Sequence, residues 1–137
     1  MYKILVVSHS SLCKGLKEAA EMILGSGEDI HYLSLESDGV ETFHQKLQDK
    51  VSMLTQNNEE LLILADLFGG SPFNRSMLVG AKYKNIKIIT GTNLPMIIEA
   101  AINKDSNIND VIDGIINSGK EGILEGQLLG TDNSGDE

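Results

Sequence analysis

Cysteine, proline and positive charge are all scarce in this 137-residue chain, and no long apolar run occurs in it. The single cysteine, Cys13, cannot close an internal disulfide, and nothing resembles Cys/His metal-ligand spacing. A reducing, cytoplasmic setting without a bound metal or cofactor is therefore expected. Two prolines beside 41% hydrophobic and 23% charged residues exclude wholesale disorder. Eleven Lys and Arg against twenty Asp and Glu leave a net charge of −9, the wrong sign for gripping a phosphate backbone, so nucleic acid is excluded as a partner. An acidic surface instead suits basic protein partners. No stretch approaches the roughly 20 apolar residues of a membrane span, and Ile4–Val7 is too short for the core of a signal peptide.

What is present is a strand and helix alternation. Tyr2–Val7 is a β-branched apolar run ending in the polar cluster Ser8-His9-Ser10-Ser11, which reads as a loop. Leu12, Leu16, Ala19, Ala20, Ile23 and Leu24 recur at helical spacing, with Gly25 as the stop. Ile30–Leu35 is a second strand, and Val40, Phe43, Leu47, Val51 and Leu54 mark one face of a second helix. Leu61–Asp66 is nearly continuous in apolar residues, as in a strand covered on both faces. Ser71 as N-cap and Pro72 at the first helical position open a third helix. Ile86–Thr90 is a fourth strand, followed by a helix carrying Met96, Ile97, Ala100 and Ala101. A last helix uses Ile108, Val111, Ile112, Ile115 and Ile116, with Ser106 or Asn107 as cap and Gly119 after its final turn. This pattern predicts a three-layer α/β/α, doubly wound domain with a mostly parallel four-stranded sheet in the order 2-1-3-4. It occupies residues 1–129. Within it, Gly122–Leu129 has the apolar content for a fifth edge strand or for docking on the body or a partner. Residues 130–137 form a disordered acidic tail.

In open parallel sheets, function gathers beyond the carboxyl ends of the strands. Three such ends carry candidates: His9, then Asp66 with the Gly69-Gly70-Ser71 loop, then Thr90-Gly91-Thr92-Asn93. A neutral imidazole can attack phosphorus and later release the phosphoryl group. A carboxylate bonded to one ring nitrogen holds the tautomer and leaves the other lone pair free, a role open to Asp66 toward His9. The amides of Gly69, Gly70 and Ser71, the Ser71 hydroxyl and the positive helix end would cradle an anion. Taken singly, each has a plainer reading: His9 as a loop residue, Asp66 as a turn cap, the glycines as a helix entry. Gly-Gly-Ser-Pro-Phe lacks the glycine after serine of a nucleophile elbow, and no Walker loop is present. His31 and His44 read as surface residues, and Cys13 as inert packing at a helix start.

Together, Leu5-Val6-Val7-Ser8-His9, Asp66-Leu67-Phe68-Gly69-Gly70-Ser71-Pro72-Phe73-Asn74 and Thr90-Gly91-Thr92-Asn93-Leu94-Pro95-Met96 resemble the mannose-type enzyme IIA domain of the bacterial phosphoenolpyruvate-dependent sugar phosphotransferase system. The resemblance covers residues 1 to about 125. It implies a phosphotransferase component in which His9 is phosphorylated by phospho-HPr and passes the phosphoryl group to a histidine of the sugar-specific IIB component. Asp66 would pair with His9, and Ser71 would lie near the phosphoryl group. It further implies a homodimer with an exchanged C-terminal strand, a cytoplasmic location, and an indirect link to the IIC and IID membrane components. The length suggests a stand-alone IIA. Two alternatives remain: the phosphocarrier subunit of phosphoenolpyruvate-dependent dihydroxyacetone kinase, which shares the Val7-Ser8-His9-Ser10-Ser11 start, and a hydrolase using Ser71, His9 and Asp66.

Overall fold

The computed structural model describes residues 1–26 and 29–130. In chain order the elements are β1 (Tyr2–His9), α1 (Leu12–Leu24), β2 (Ile30–Leu35), α2 (Val40–Leu54), β3 (Glu60–Ala65), α3 (Ser71–Gly80), β4 (Ile86–Ile89), α4 (Leu94–Ile102) and α5 (Ile108–Glu121). All pairings are parallel, and the sheet runs β2-β1-β3-β4, the order expected from the alternation.

Alternation along the central strands divides the core in two. Tyr2, Ile4 and Val6 of β1, with Leu62 and Leu64 of β3, face α1, α4 and α5 through Ala20, Ile97, Ala100, Ile108 and Ile115. Leu5 and Val7, with Leu61, Ile63 and Ala65, face α2 and α3 through Phe43, Leu47, Val51, Leu54 and Val79. Both faces of these strands are sealed, which is why their sequences read as apolar runs. Burying each such side chain stabilises the fold by about 1.5–3 kcal/mol. Tyr2 also ties β1 to α4, its hydroxyl donating to the Ala100 carbonyl at 2.5 Å.

Helix ends follow local chemistry where that chemistry is available. Gly25 sits in the left-handed region, and its amide closes α1 by donating to Glu21 O at 2.8 Å. Asn93 caps α4, accepting from the Met96 amide at 3.2 Å. Elsewhere the expectations move. The first strand continues through Ser8 and His9, because both still pair with β2 in register, opposite Ser34 and Leu35. Gly70, and not Ser71, is the cap residue of α3, so Ser71 is the first helical residue and Pro72 the second.

Gly119 does not end α5, which runs on to Glu121. A Cβ there would lie 2.5 Å from Met96 Cγ, so this glycine serves the close packing of α5 on α4. Residues 123–130 add no strand to the sheet, and Ile123, Leu124, Leu128 and Leu129 lie exposed. The expected acidic tail lies, from residue 131, outside the described residues. His31 and His44 are half-buried. His31 shares the face of Leu33 and Leu35, which α2 covers, and burial lowers its pKa, with Lys50, Lys3 and Lys17 adding to the effect.

Candidate functional site

β1 and β3 are neighbours, so their carboxyl ends deliver His9 and Asp66 to one point. The Asp66 carboxylate is 11% exposed and the His9 ring 46%. Asp66 Oδ2 accepts two hydrogen bonds from the same residue, from the His9 amide at 2.9 Å and from Nδ1 at 2.9 Å. A carboxylate can only accept, so Nδ1 carries a proton, and in the neutral ring this leaves the lone pair on Nε2.

The loop after Asp66 brings a helix end to the ring. Leu67 to Gly70 form a turn closed by the Gly70 amide on Leu67 O at 3.1 Å. Gly69, at φ +81°, fills the third position, where a positive φ is required. Asn74 locks the turn from inside α3, its side-chain amide donating to Gly69 O at 2.9 Å. The result sets Gly70 against the His9 ring and Ser71 at the start of α3, whose first turn carries no acidic residue. The positive end of α3 thus begins beside the Cε1 and Nε2 edge of the ring. Leu67 and Phe68 of this turn are exposed, at 58% and 75%, and the Phe68 ring lies 5.2 Å from that of Phe73.

The third candidate block is used differently. Thr92 donates through its amide and hydroxyl to Ala65 O, at 3.1 and 2.6 Å, and so anchors the end of β3 just before Asp66. Asn93 joins α4 to α5, its side chain donating to Gly119 O at 2.9 Å. These residues support the site as scaffold. Cys13 is fully buried near the start of α1, with Sγ 3.2 Å from Ser34 Oγ.

Sequence reasoning missed Ser8. Its buried hydroxyl accepts from the Cys13 amide at 2.8 Å and donates to Ser10 O at 3.1 Å, doing for α1 what the side chain of its cap residue Ser11 does not. Ser10 adopts φ +52°, uncommon for a residue with a side chain, so the turn carrying His9 is braced from within. The available signal was alternation, since residues 4, 6 and 8 share one strand face. Among the described residues, no group of three or more His, Cys, Asp or Glu could hold a metal ion, and no helix is long and apolar enough to cross a membrane.

Residues 3–116 match the family model described as the PTS system fructose IIA component. The sorbose-specific EIIA component of Lacticaseibacillus casei is 33% identical over 107 residues, covering 76% of this chain and 75% of that protein. The mannose-specific EIIAB component of Escherichia coli is 26% identical over 123 residues, covering 88% of this chain. This chain spans only 38% of that longer protein. Among solved structures, the mannose/sorbose-specific IIA subunit from Enterococcus faecalis superposes with a TM-score of 0.86 at 27% identity, over 94% of this chain and 97% of the other. The chain belongs to the mannose-type IIA family of the sugar phosphotransferase system.

Proposed function

We propose that this protein is a phosphocarrier in which His9 Nε2 takes a phosphoryl group from phospho-HPr and passes it to a histidine of a IIB component. The carrying observation is the Nδ1–H bond to Asp66, which leaves Nε2 as the free nucleophile beside the α3 N-terminus. In the first step the Nε2 lone pair forms a bond to phosphorus as the donor's nitrogen–phosphorus bond breaks, and the donor imidazole leaves with that electron pair. The proton on Nδ1 stays in place, and the positive charge left on the ring is balanced by Asp66. The second step repeats this displacement with the IIB histidine attacking. Ser71 and the Gly69 amide serve the phosphoryl oxygens in both steps, while Gly70, whose own amide is held by Leu67 O, lines the cradle.

The relatives carry different sugars in their names, mannose, sorbose and fructose, as suits a carrier that handles phosphate and leaves sugar choice to other components. The protein works in the cytoplasm and meets the IIC and IID membrane components through IIB. Exposed Ile123, Leu124, Leu128 and Leu129 favour a homodimer in which a second copy covers the C-terminal segment.

Incubation with phosphoenolpyruvate, enzyme I and HPr, followed by intact-mass measurement, tests the assignment. One acid-labile phosphoryl group is expected on the wild type, His31→Ala and His44→Ala, and none on His9→Ala. An unlabelled wild type beside phosphorylated HPr, or a label surviving His9→Ala, overturns it.

A further inference from the structure

We infer that Gly70 is a positioning residue that gauges the His9 ring, setting its depth against Asp66 by the absence of a side chain. The inference rests on the phosphocarrier reading for its consequence but on packing for its substance. Gly70 has φ −72° and ψ 164°, an extended conformation open to any residue, so the backbone does not ask for glycine here. What asks for it is the imidazole. A Cβ on residue 70 would stand 2.8 Å from His9 Cε1 and 3.4 Å from Nε2, with Leu67 O at 3.3 Å. Carbon atoms in favourable contact lie about 3.5–4.0 Å apart, so the ring would have to retreat by roughly 0.7–1.2 Å.

Which side yields is decided by what holds each. The loop is fixed at both ends: the Gly70 amide is bound to Leu67 O, Gly70 O accepts from the Asn74 amide at 2.9 Å, and the Asn74 side chain holds Gly69 O. The ring is the half-exposed end of a side chain and is the part free to swing. Swinging it stretches the 2.9 Å bond from Nδ1 to Asp66 Oδ2, which fixes the tautomer. Alanine at this position therefore costs the fold little and the chemistry much. A gauge is distinct from an anion cradle: alanine keeps the backbone N–H, so a residue acting only as an amide donor would tolerate the change.

The test has three arms. In the absence of any phosphoryl donor, long-range 1H–15N spectra of wild type should show His9 protonated at Nδ1, and Gly70→Ala should show a loss of that single tautomer. With phospho-HPr, Gly70→Ala should accept phosphate about 10- to 100-fold more slowly, the scale on which misplacement of a reacting group by about 1 Å acts. The Gly70→Ala, Asp66→Asn pair should be little slower than Asp66→Asn alone, because both act through one bond. Gly114→Ala, whose added Cβ meets nothing within 4 Å, is the control. Any thermal destabilisation by Gly70→Ala should vanish in a His9→Ala background, where the ring it strikes is gone. An unaltered His9 spectrum and rate in Gly70→Ala, multiplicative losses in the pair, or equal destabilisation with and without the ring overturns the inference. Failure of wild type to accept phosphate overturns the carrier reading instead, and leaves the spectra and the melting cycle to decide Gly70's role.

Discussion

Asp66 holds His9 by its backbone and its ring at once, through one oxygen, Oδ2. The amide bond fixes where the residue sits and the Nδ1 bond fixes which way the imidazole faces, so residue and ring move together. The other oxygen, Oδ1, is buried and has no partner among the described residues. The carboxylate is thus oriented chiefly by the histidine that it orients.

Asp66→Asn should slow phosphoryl acceptance on the order of 10²-fold with the fold kept, because an amide supports either tautomer and leaves no charge beside the phosphorylated ring. Rapid-quench rates with phospho-HPr, alongside circular dichroism, check this. Wild-type rates would show that the carboxylate does not orient His9.

Ser8→Ala should destabilise the protein by about 1–2 kcal/mol, since the Cys13 amide loses its buried acceptor and α1 its cap. The melting temperature should fall by about 3–7 °C. Because Ser8 also holds Ser10 O, His9 exchange-sensitive signals should broaden. A variant melting with wild type would place the cap elsewhere.

Tyr2 provides a pH test remote from the site. Burial first, then the charge of Glu99, raises its hydroxyl to about 12 from the usual 10.0. The unfolded chain gives up this proton first, so stability should decline as pH climbs from about 10 to about 12. Tyr2→Phe should remove that share of the decline while costing about 1–2 kcal/mol at neutral pH, because the Ala100 carbonyl loses its donor. Denaturant unfolding at pH 8 and pH 11 separates the two effects, and parallel alkaline declines for both proteins would refute the assignment.

Much of the fold is legible in the sequence because period and punctuation coincide in it. The helical spacing from Leu12 ends at Gly25, which takes the left-handed conformation a stop requires. The unbroken run Leu61–Ala65 belongs to a central strand sealed on both faces. The meeting of His9 with Asp66 follows from strand order, since parallel crossovers place β3 against β1 and align their ends. What escaped notice is what depends on the shape of a neighbour. Gly119 reads as a stop and Gly70 as turn punctuation, yet each is glycine because a side chain from another element, Met96 or His9, occupies the place of its Cβ. Ser8 reads as loop because it opens the polar cluster Ser8-His9-Ser10-Ser11, although the alternation of Ile4 and Val6 extends to it and it pairs in register with β2.

His9 and Asp66 stand 57 residues apart and meet only where β3 docks on β1, with β2 on the far side. A ribosome therefore releases His9 long before the carboxylate that bonds its ring. Every stretch of chain lacking β3 and the α3 start carries His9 with a ring free to take either tautomer. A nascent or clipped chain should accordingly be a poor phosphate acceptor, and acceptance would appear only when the sheet closes between its first and third strands, the long-range step that also limits how fast such topologies fold.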